Sequence, residues 1–192
     1  MKKLIFATNN KHKLEEIRAI VGNHYKLLSL SDINFSGEIP ETSPTIAENA
    51  IQKARYILDL YAGNCFADDT GLEVDALNGA PGVYSARYAG ENATYAENVN
   101  KLLDEMHGIK NRKACFKTVI ALFWEEQLYQ FEGKICGTIT TETSGESGFG
   151  YDPVFLPDGY QQTFAEMDAS LKNKISHRAI ASQKLIQFLQ KQ

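Results

Sequence analysis

Ala67-Asp68-Asp69-Thr70-Gly71-Leu72-Glu73-Val74-Asp75 places two adjacent carboxylates beside a threonine and a glycine, directly after the apolar run Cys65-Phe66-Ala67. That run reads as the end of a buried strand. Neighbouring side chains of a strand point to opposite faces, so Asp68 and Asp69 are expected to share a site through a turn, which Gly71 would permit. Two acids at a strand exit are costly to desolvate unless a divalent cation or a catalytic proton meets them. Taken alone, the stretch is equally consistent with a solvated acidic turn.

The 192 residues are enough for one sizeable core and for two lobes, so a single domain over 1–192 is expected. With 43% hydrophobic and 23% charged residues, the composition is that of an ordinary globular protein. The formal charge of -4 opposes a nucleic-acid-coating role, which needs a positive field. Cys65, Cys115 and Cys136 are odd in number and set in apolar runs. They read as buried small hydrophobes rather than disulfide partners or zinc ligands, as in a reducing cytoplasm. No segment reaches the length of a membrane span, and the apolar run after Met1-Lys2-Lys3 is too short for a signal peptide.

Leu4-Ile5-Phe6-Ala7 predicts a central strand. Leu14, Ile17, Ile20 and Val21 then recur at helical spacing, with Gly22-Asn23 as the cap. Between them, Thr8 to Lys13 forms a polar loop at a helix start, where free N–H groups and the charges of Lys11 and Lys13 favour an anion. The same Thr8, Asn9 and Asn10 suit plain helix capping.

Lys26 to Leu30 predicts a second strand, and Thr45-Ile46-Ala47-Glu48 matches a capping box for a helix with Ile46, Ala50, Ala54, Ile57 and Tyr61 on one face. Glu41 lies just outside that helix. Lys53 reads by default as a surface lysine, with the acidic site as the alternative. Thr94-Tyr95-Ala96-Glu97 opens another helix, and Ala114–Trp124 with Gln127–Ile139 predicts a hairpin turning at Glu125-Glu126. Phe149-Gly150-Tyr151-Asp152-Pro153 suits a turn that offers a ring and a carboxylate to a ligand. Ser176 is a natural cap for the last helix, which puts His177 and Arg178 in a first turn where cations are disfavoured without an anion or aromatic partner.

Glu41, Asp68 and Asp69 together with the Lys11/Lys13 loop describe a site for a phosphate chain and a hard divalent ion, Mg²⁺ or Mn²⁺. Six motifs sharpen this reading: Thr8-x-Asn10-x-x-Lys13, Glu41-Thr42 with Glu48-Asn49-Ala50, Ala67 to Leu72, Gly79 to Arg87, Phe149 to Pro153, and Ser176-His177-Arg178. In this order and spacing they resemble the inosine triphosphate pyrophosphatases, which hydrolyse noncanonical purine nucleoside triphosphates. The resemblance runs from Leu4 to the final helix.

It implies an α/β fold, an elongated mixed β-sheet flanked by helices, with two lobes and a central nucleotide-binding cleft. It also implies a cytoplasmic homodimer that cleaves ITP, dITP or XTP with Mg²⁺ into the monophosphate and pyrophosphate, with no nucleic acid polymer or membrane as partner. By motif match, Thr8, Asn9, Asn10, Lys11, His12 and Lys13 would hold the triphosphate. Glu41 and Asp69 would bind metal, Asp69 would accept the proton with Asp68 in support, and Thr70 would touch substrate. Phe149, Gly150, Tyr151, Asp152, Lys172, His177 and Arg178 would enclose the base and read its 6-oxygen. Asn9 stands where a glycine is frequent, Thr70 where a serine is frequent, and Glu146-Ser147-Gly148 replaces a more glycine-rich approach to Phe149. The competing readings are a phosphatase working through an aspartyl-phosphate on Asp68 or Asp69, and a non-catalytic nucleotide-binding protein.

Overall fold

The computed structural model describes residues 2–21 and 25–192, with His12, Glu16, Ala19, Ile20 and Val21 described through their backbone alone. The expected Gly22-Asn23 cap and the side chains of Ile20 and Val21 lie outside the described residues. Strand β1 (Lys3–Phe6) pairs in parallel with β2 (Lys26–Leu28), Leu4 opposite Leu27, and with β3 (Cys65–Val74), Phe6 opposite Phe66. The rings of Phe6 and Phe66 stack with centroids 4.4 Å apart. A one-residue slip would turn one of them to the other face, so this pair fixes the register. Strands β4 (Lys113–Trp124), β5 (Gln127–Ile139) and β6 (Phe155–Pro157) complete a six-stranded sheet in the order β2-β1-β3-β4-β5-β6. Because β6 runs antiparallel to β5, the sheet is mixed, as the α/β expectation requires.

The acidic stretch does not turn. β3 continues through Asp68, Asp69 and Gly71 to Val74. Extension is rewarded at its far end, where Leu72 and Val74 are fully buried. The polar loop after β1 is also shorter than expected. Helix α1 (Lys11–Val21) begins at Lys11, since Asn10 Oδ1 accepts the Lys13 N–H at 3.2 Å and the Asn10 carbonyl accepts the Leu14 N–H. Lys11, His12 and Lys13 therefore occupy the first helical turn.

Helices α2 (Ile46–Leu60) and α3 (Tyr95–Glu105) start at Thr45 and Thr94 as predicted, each threonine accepting from the third residue on. The reciprocal box closes fully at Thr94 and Glu97. At Thr45 the Glu48 carboxylate accepts from the threonine hydroxyl instead. Two short elements were not foreseen, β6 and α4 (Ala169–Ile175), and α5 (His177–Leu189) follows Ser176.

The chain forms two compact units. One comprises Met1–Asp69, Thr118–Gly133 and Ala179–Gln192, and the other Thr70–Lys117 and Lys134–Arg178. In the first, Leu4, Phe6, Ile17, Phe66, Ile120, Leu122, Trp124, Ala181, Leu185 and Leu189 make the core. In the second, Leu72, Val74, Val99, Leu102, Met106, Phe116, Val154, Phe155 and Phe164 do so. Among the described residues no helix is long and apolar enough to cross a membrane.

The cysteine reading is corrected. Cys115 and Cys136 form a disulfide, their Cα atoms 4.0 Å apart. The hairpin explains it: Glu125 and Glu126 both adopt left-handed φ values, 49° and 68°, and make a two-residue turn. Cys115 precedes that turn by as many residues as Cys136 follows it, so the register sets them opposite. The cysteines thus lend no support to a reducing compartment. Cys65 behaves as expected, buried and with its thiol pushed up to about 12 by that burial.

In the second unit, Arg112 closes the end of β5. Its guanidinium donates to the carbonyls of Ile139 at 2.6 Å, Met106 at 2.8 Å and Thr140 at 2.6 Å. Three charge-assisted bonds from one half-buried side chain leave three carbonyls to resatisfy when it is removed. Arg112→Ala is expected to cost about 3 kcal/mol in urea denaturation. Arg112→Lys should recover only part, because an ammonium cannot span three acceptors set by a planar fork. A loss within error of zero would show that water replaces the guanidinium.

Candidate active site

Parallel pairing of β1 with β3 brings the chain leaving Phe6 alongside the acids. The Ala7 N–H donates to Phe66 O at 2.8 Å, and the α1 start follows within a few residues. Lys13, in its first turn, reaches Asp68 with Nζ 3.0 Å from Oδ2. Asp69, pointing the opposite way along an extended strand, is met instead from α2, where Lys53 Nζ lies 3.5 Å from Oδ1. Each acid thus has its own lysine. Strand alternation separates the two carboxylates without a turn.

Lys53 also reaches Glu41, Nζ to Oε1 at 2.5 Å. Glu41 is held there through its neighbours: the Thr42 N–H donates to Gln52 Oε1 at 3.0 Å and the Ser43 N–H to Asn49 Oδ1 at 2.8 Å. Asn49, Gln52 and Lys53 stand three and four residues apart, on one side of α2. The default reading of Lys53 as a surface lysine fails, since it is 6% exposed. The sequence did contain the signal. Lys53 is three residues after Ala50 and four before Ile57, inside the apolar stripe.

Three carboxylates, those of Glu41, Asp68 and Asp69, are thus met by the ammonium groups of Lys13 and Lys53. Burial pushes the Asp69 carboxyl above the usual carboxylate range. Lys53 and Lys13 pull it back, and Glu41 and Asp68 push it up again. Burial alone would lower the Lys53 ammonium, but Asp69, Glu41 and Asp68 hold it above the ordinary lysine value.

The remaining phosphate-loop residues are spread more widely. The Asn10 N–H donates to Thr8 Oγ1 at 3.2 Å, Asn9 is tied through Nδ2 to Gly37 O at 3.1 Å, and Lys11 is exposed. The side chain of His12 lies outside the described residues. Among the described residues no three metal-ligating side chains converge into a cage. Glu41 and Asp69, the two expected ligands, converge on Lys53. Two carboxylate donors with hard oxygens fit a magnesium ion that takes its other ligands from water and phosphate, and would not suit zinc.

In the second unit, Lys172 Nζ lies 2.6 Å from Asp152 Oδ2 and 4.7 Å from the Phe149 ring centre. The Arg178 guanidinium stands 5.5 Å from the same ring. The Phe149 N–H donates to Asp152 Oδ2 at 2.8 Å, which folds the turn back on itself. Gly148, at φ +83°, faces that carboxylate so closely that a Cβ would collide with it. Burial raises the Asp152 carboxyl above its ordinary value, and Lys172, the Phe149 amide and Arg178 pull it down. His177 stacks on Phe116, centroids 4.7 Å apart, and is 5% exposed.

Tyr151 does not join this group. Its ring is 3% exposed in the core, and its hydroxyl donates to Ser85 O at 2.9 Å. Burial drives its phenol well above the ordinary value. Thr70 lies half-buried in β3. The Ham1 family sequence model matches residues 4–188.

The chain belongs to the Ham1 family. A dITP/XTP pyrophosphatase of Flavobacterium johnsoniae is 53% identical over 187 residues, covering 97% of each chain. The solved Ham1 protein of Coxiella burnetii superimposes with a TM-score of 0.94 at 38% identity over all of both chains. That of Staphylococcus aureus does so with 0.93 at 37% identity, over 99% of each. The resemblance carried by the six motifs thus extends over the whole Ham1 chain.

Proposed function

We propose that this protein hydrolyses noncanonical purine nucleoside triphosphates, ITP, dITP and XTP, between the α- and β-phosphates with Mg²⁺. The observation that carries the proposal is the pairing of three carboxylates with two lysines, Asp68 with Lys13 and Asp69 and Glu41 with Lys53. The name of the Flavobacterium johnsoniae relative, a dITP/XTP pyrophosphatase, supports dITP and XTP among these. Homodimer formation and a cytoplasmic location belong to this proposal through the family resemblance.

Glu41 and Asp69 would hold the metal ion, which supplies charge neutralisation at the phosphate oxygens when bound. Lys13 and the first N–H groups of α1 would hold the phosphate chain. Asp69, more basic than an ordinary carboxylate, would take the proton from the water attacking the α-phosphorus. The bond from the α-phosphorus to the bridging oxygen breaks, and pyrophosphate departs with that oxygen. Lys172 and Arg178, beside the Phe149 ring, would present N–H donors to a 6-oxo group. A 6-amino group would set donor against donor and leave them unpaired.

The test is a panel of ITP, dITP, XTP, GTP and ATP with Mg²⁺, read for products. Pyrophosphate and the monophosphate are expected from the first three, with ATP slower by about 10²-fold in kcat/KM. Orthophosphate instead of pyrophosphate would overturn the reading in favour of an aspartyl-phosphate route. Binding without turnover would make the protein a nucleotide carrier.

A further inference from the structure

We infer that Glu166 is a positioning residue for purine recognition, holding the strap of residues 144–147 that carries the chain into Gly148 and Phe149. The inference rests on the proposed base-binding role of the Phe149 turn.

The strap is fastened mainly to one short segment, 163–166, and at its start to Pro153, whose carbonyl accepts the Ser144 N–H at 2.8 Å. Ser144 Oγ donates to Glu166 Oε1 at 2.6 Å, and the Ser144 carbonyl accepts from Thr163 Oγ1 at 2.8 Å. The Ser147 N–H donates to Ala165 O at 3.2 Å. Between these ties Gly145, at φ +88°, lies against the Ala165 backbone so closely that a Cβ would overlap it. The other carboxylate oxygen of Glu166 accepts the Thr163 N–H at 2.8 Å. One side chain thereby locks the segment and grips the strap. The segment reaches the far side of the turn too, because the Ala165 N–H donates to Asp152 O at 3.2 Å. Glu166 thus sits where both sides of the Phe149–Asp152 turn are tied together.

The position of Glu166 separates this role from a structural one. It is exposed, so water can take over its bonds with Ser144 and Thr163 when it is removed. What is lost is the fixed approach to Phe149, not buried contact. The hydrogen bonds from Ser144 and Thr163 also hold its carboxyl below the usual range, so the grip persists in mild acid.

The experiment compares Glu166→Ala, Glu166→Gln and Ser144→Ala with the parent for KM, kcat and thermal midpoint, on ITP and ATP. Glu166→Ala should raise KM for ITP roughly three- to tenfold, with kcat and midpoint nearly unchanged and the preference for ITP over ATP narrowed accordingly. Ser144→Ala should do the same, and the double variant no more. Glu166→Gln should restore the parent values, since its amide oxygen accepts from Thr163 and its NH₂ donates to the Ser144 hydroxyl. Unchanged KM and preference in Glu166→Ala would overturn the inference. So would a fall of kcat and midpoint together in Glu166→Ala and Glu166→Gln alike. A parent that turns over ITP and ATP equally would remove the base-binding reading itself, a result distinct from either of these.

Discussion

Asp69→Asn is expected to lower kcat on ITP by about 10³-fold or more while nucleotide binding stays within severalfold. An amide is nearly isosteric with the carboxylate, so the backbone of β3 and the packing of Lys53 survive. Two properties do not survive: the amide does not accept a proton from water, and its neutral oxygen is a weaker ligand for a hard cation than a carboxylate. The lysines of the cluster, Lys13 and Lys53, remain to attract phosphate. Equilibrium binding of ITP beside single-turnover kinetics separates these effects. Retained turnover would remove Asp69 from the chemistry and revive the nucleotide-carrier reading.

The same substitution has a consequence for stability, and its sign follows from linkage. Because burial raises the Asp69 carboxyl above its unfolded value, the folded chain binds more proton there than the unfolded chain through the carboxylate range. Stability from this group is then fully present below the unfolded pKa and is lost as pH rises through the folded one. Above that range the burial of the Asp69 carboxylate counts against the metal-free fold, a cost that a divalent ion would relieve. In EDTA, Asp69→Asn should melt no lower than the parent at pH 7, with a flatter pH dependence between pH 4 and 7. A lower midpoint would mean that the contact with Lys53 outweighs the desolvation of the acid.

Much of this arrangement was legible in the residues. Helix starts at Thr45 and Thr94, the Glu125-Glu126 turn and the β1 run are local signals, decided by capping and periodicity within a few residues. What stayed hidden was decided at a distance. Nothing local says that Asp68 and Asp69 stay in an extended strand, because that depends on β1 on one side, β4 on the other and the buried Leu72 and Val74 beyond. Residue type alone points Lys53 to the surface, although its place in the apolar stripe marks it as buried. Composition alone makes Cys115 and Cys136 small hydrophobes, whereas counting outward from the hairpin turn pairs them. The attachment of residues 144–147 to 163–166 has no sequence signature, since it joins two irregular segments.

Lys172→Met carries the second large effect, because it strands a buried charge. The Asp152 carboxylate is 3% exposed, and Lys172 is its ion-pair partner at 2.6 Å. Removing one partner of a buried pair costs about 3–5 kcal/mol, and the Phe149 N–H and Arg178, which still act on Asp152, set the loss toward the lower end, while methionine keeps the stem packed. The loss depends on pH in a fixed direction. Without Lys172 the Asp152 carboxyl, already raised by burial, rises further, so the variant protonates it more readily. The deficit relative to the parent is therefore greatest at neutral pH, where Asp152 is ionised, and shrinks as pH falls through the carboxylate range. Denaturation at pH 7 and pH 5 should show this convergence. Adding Asp152→Asn to Lys172→Met should restore most of the stability, since the stranded charge is gone. It should not restore preference for ITP over ATP, because the ammonium beside Phe149 is still missing. If preference returned with stability, Lys172 would matter only as the counter-ion of Asp152, and the reading of the 6-oxo group would fall to Arg178 alone.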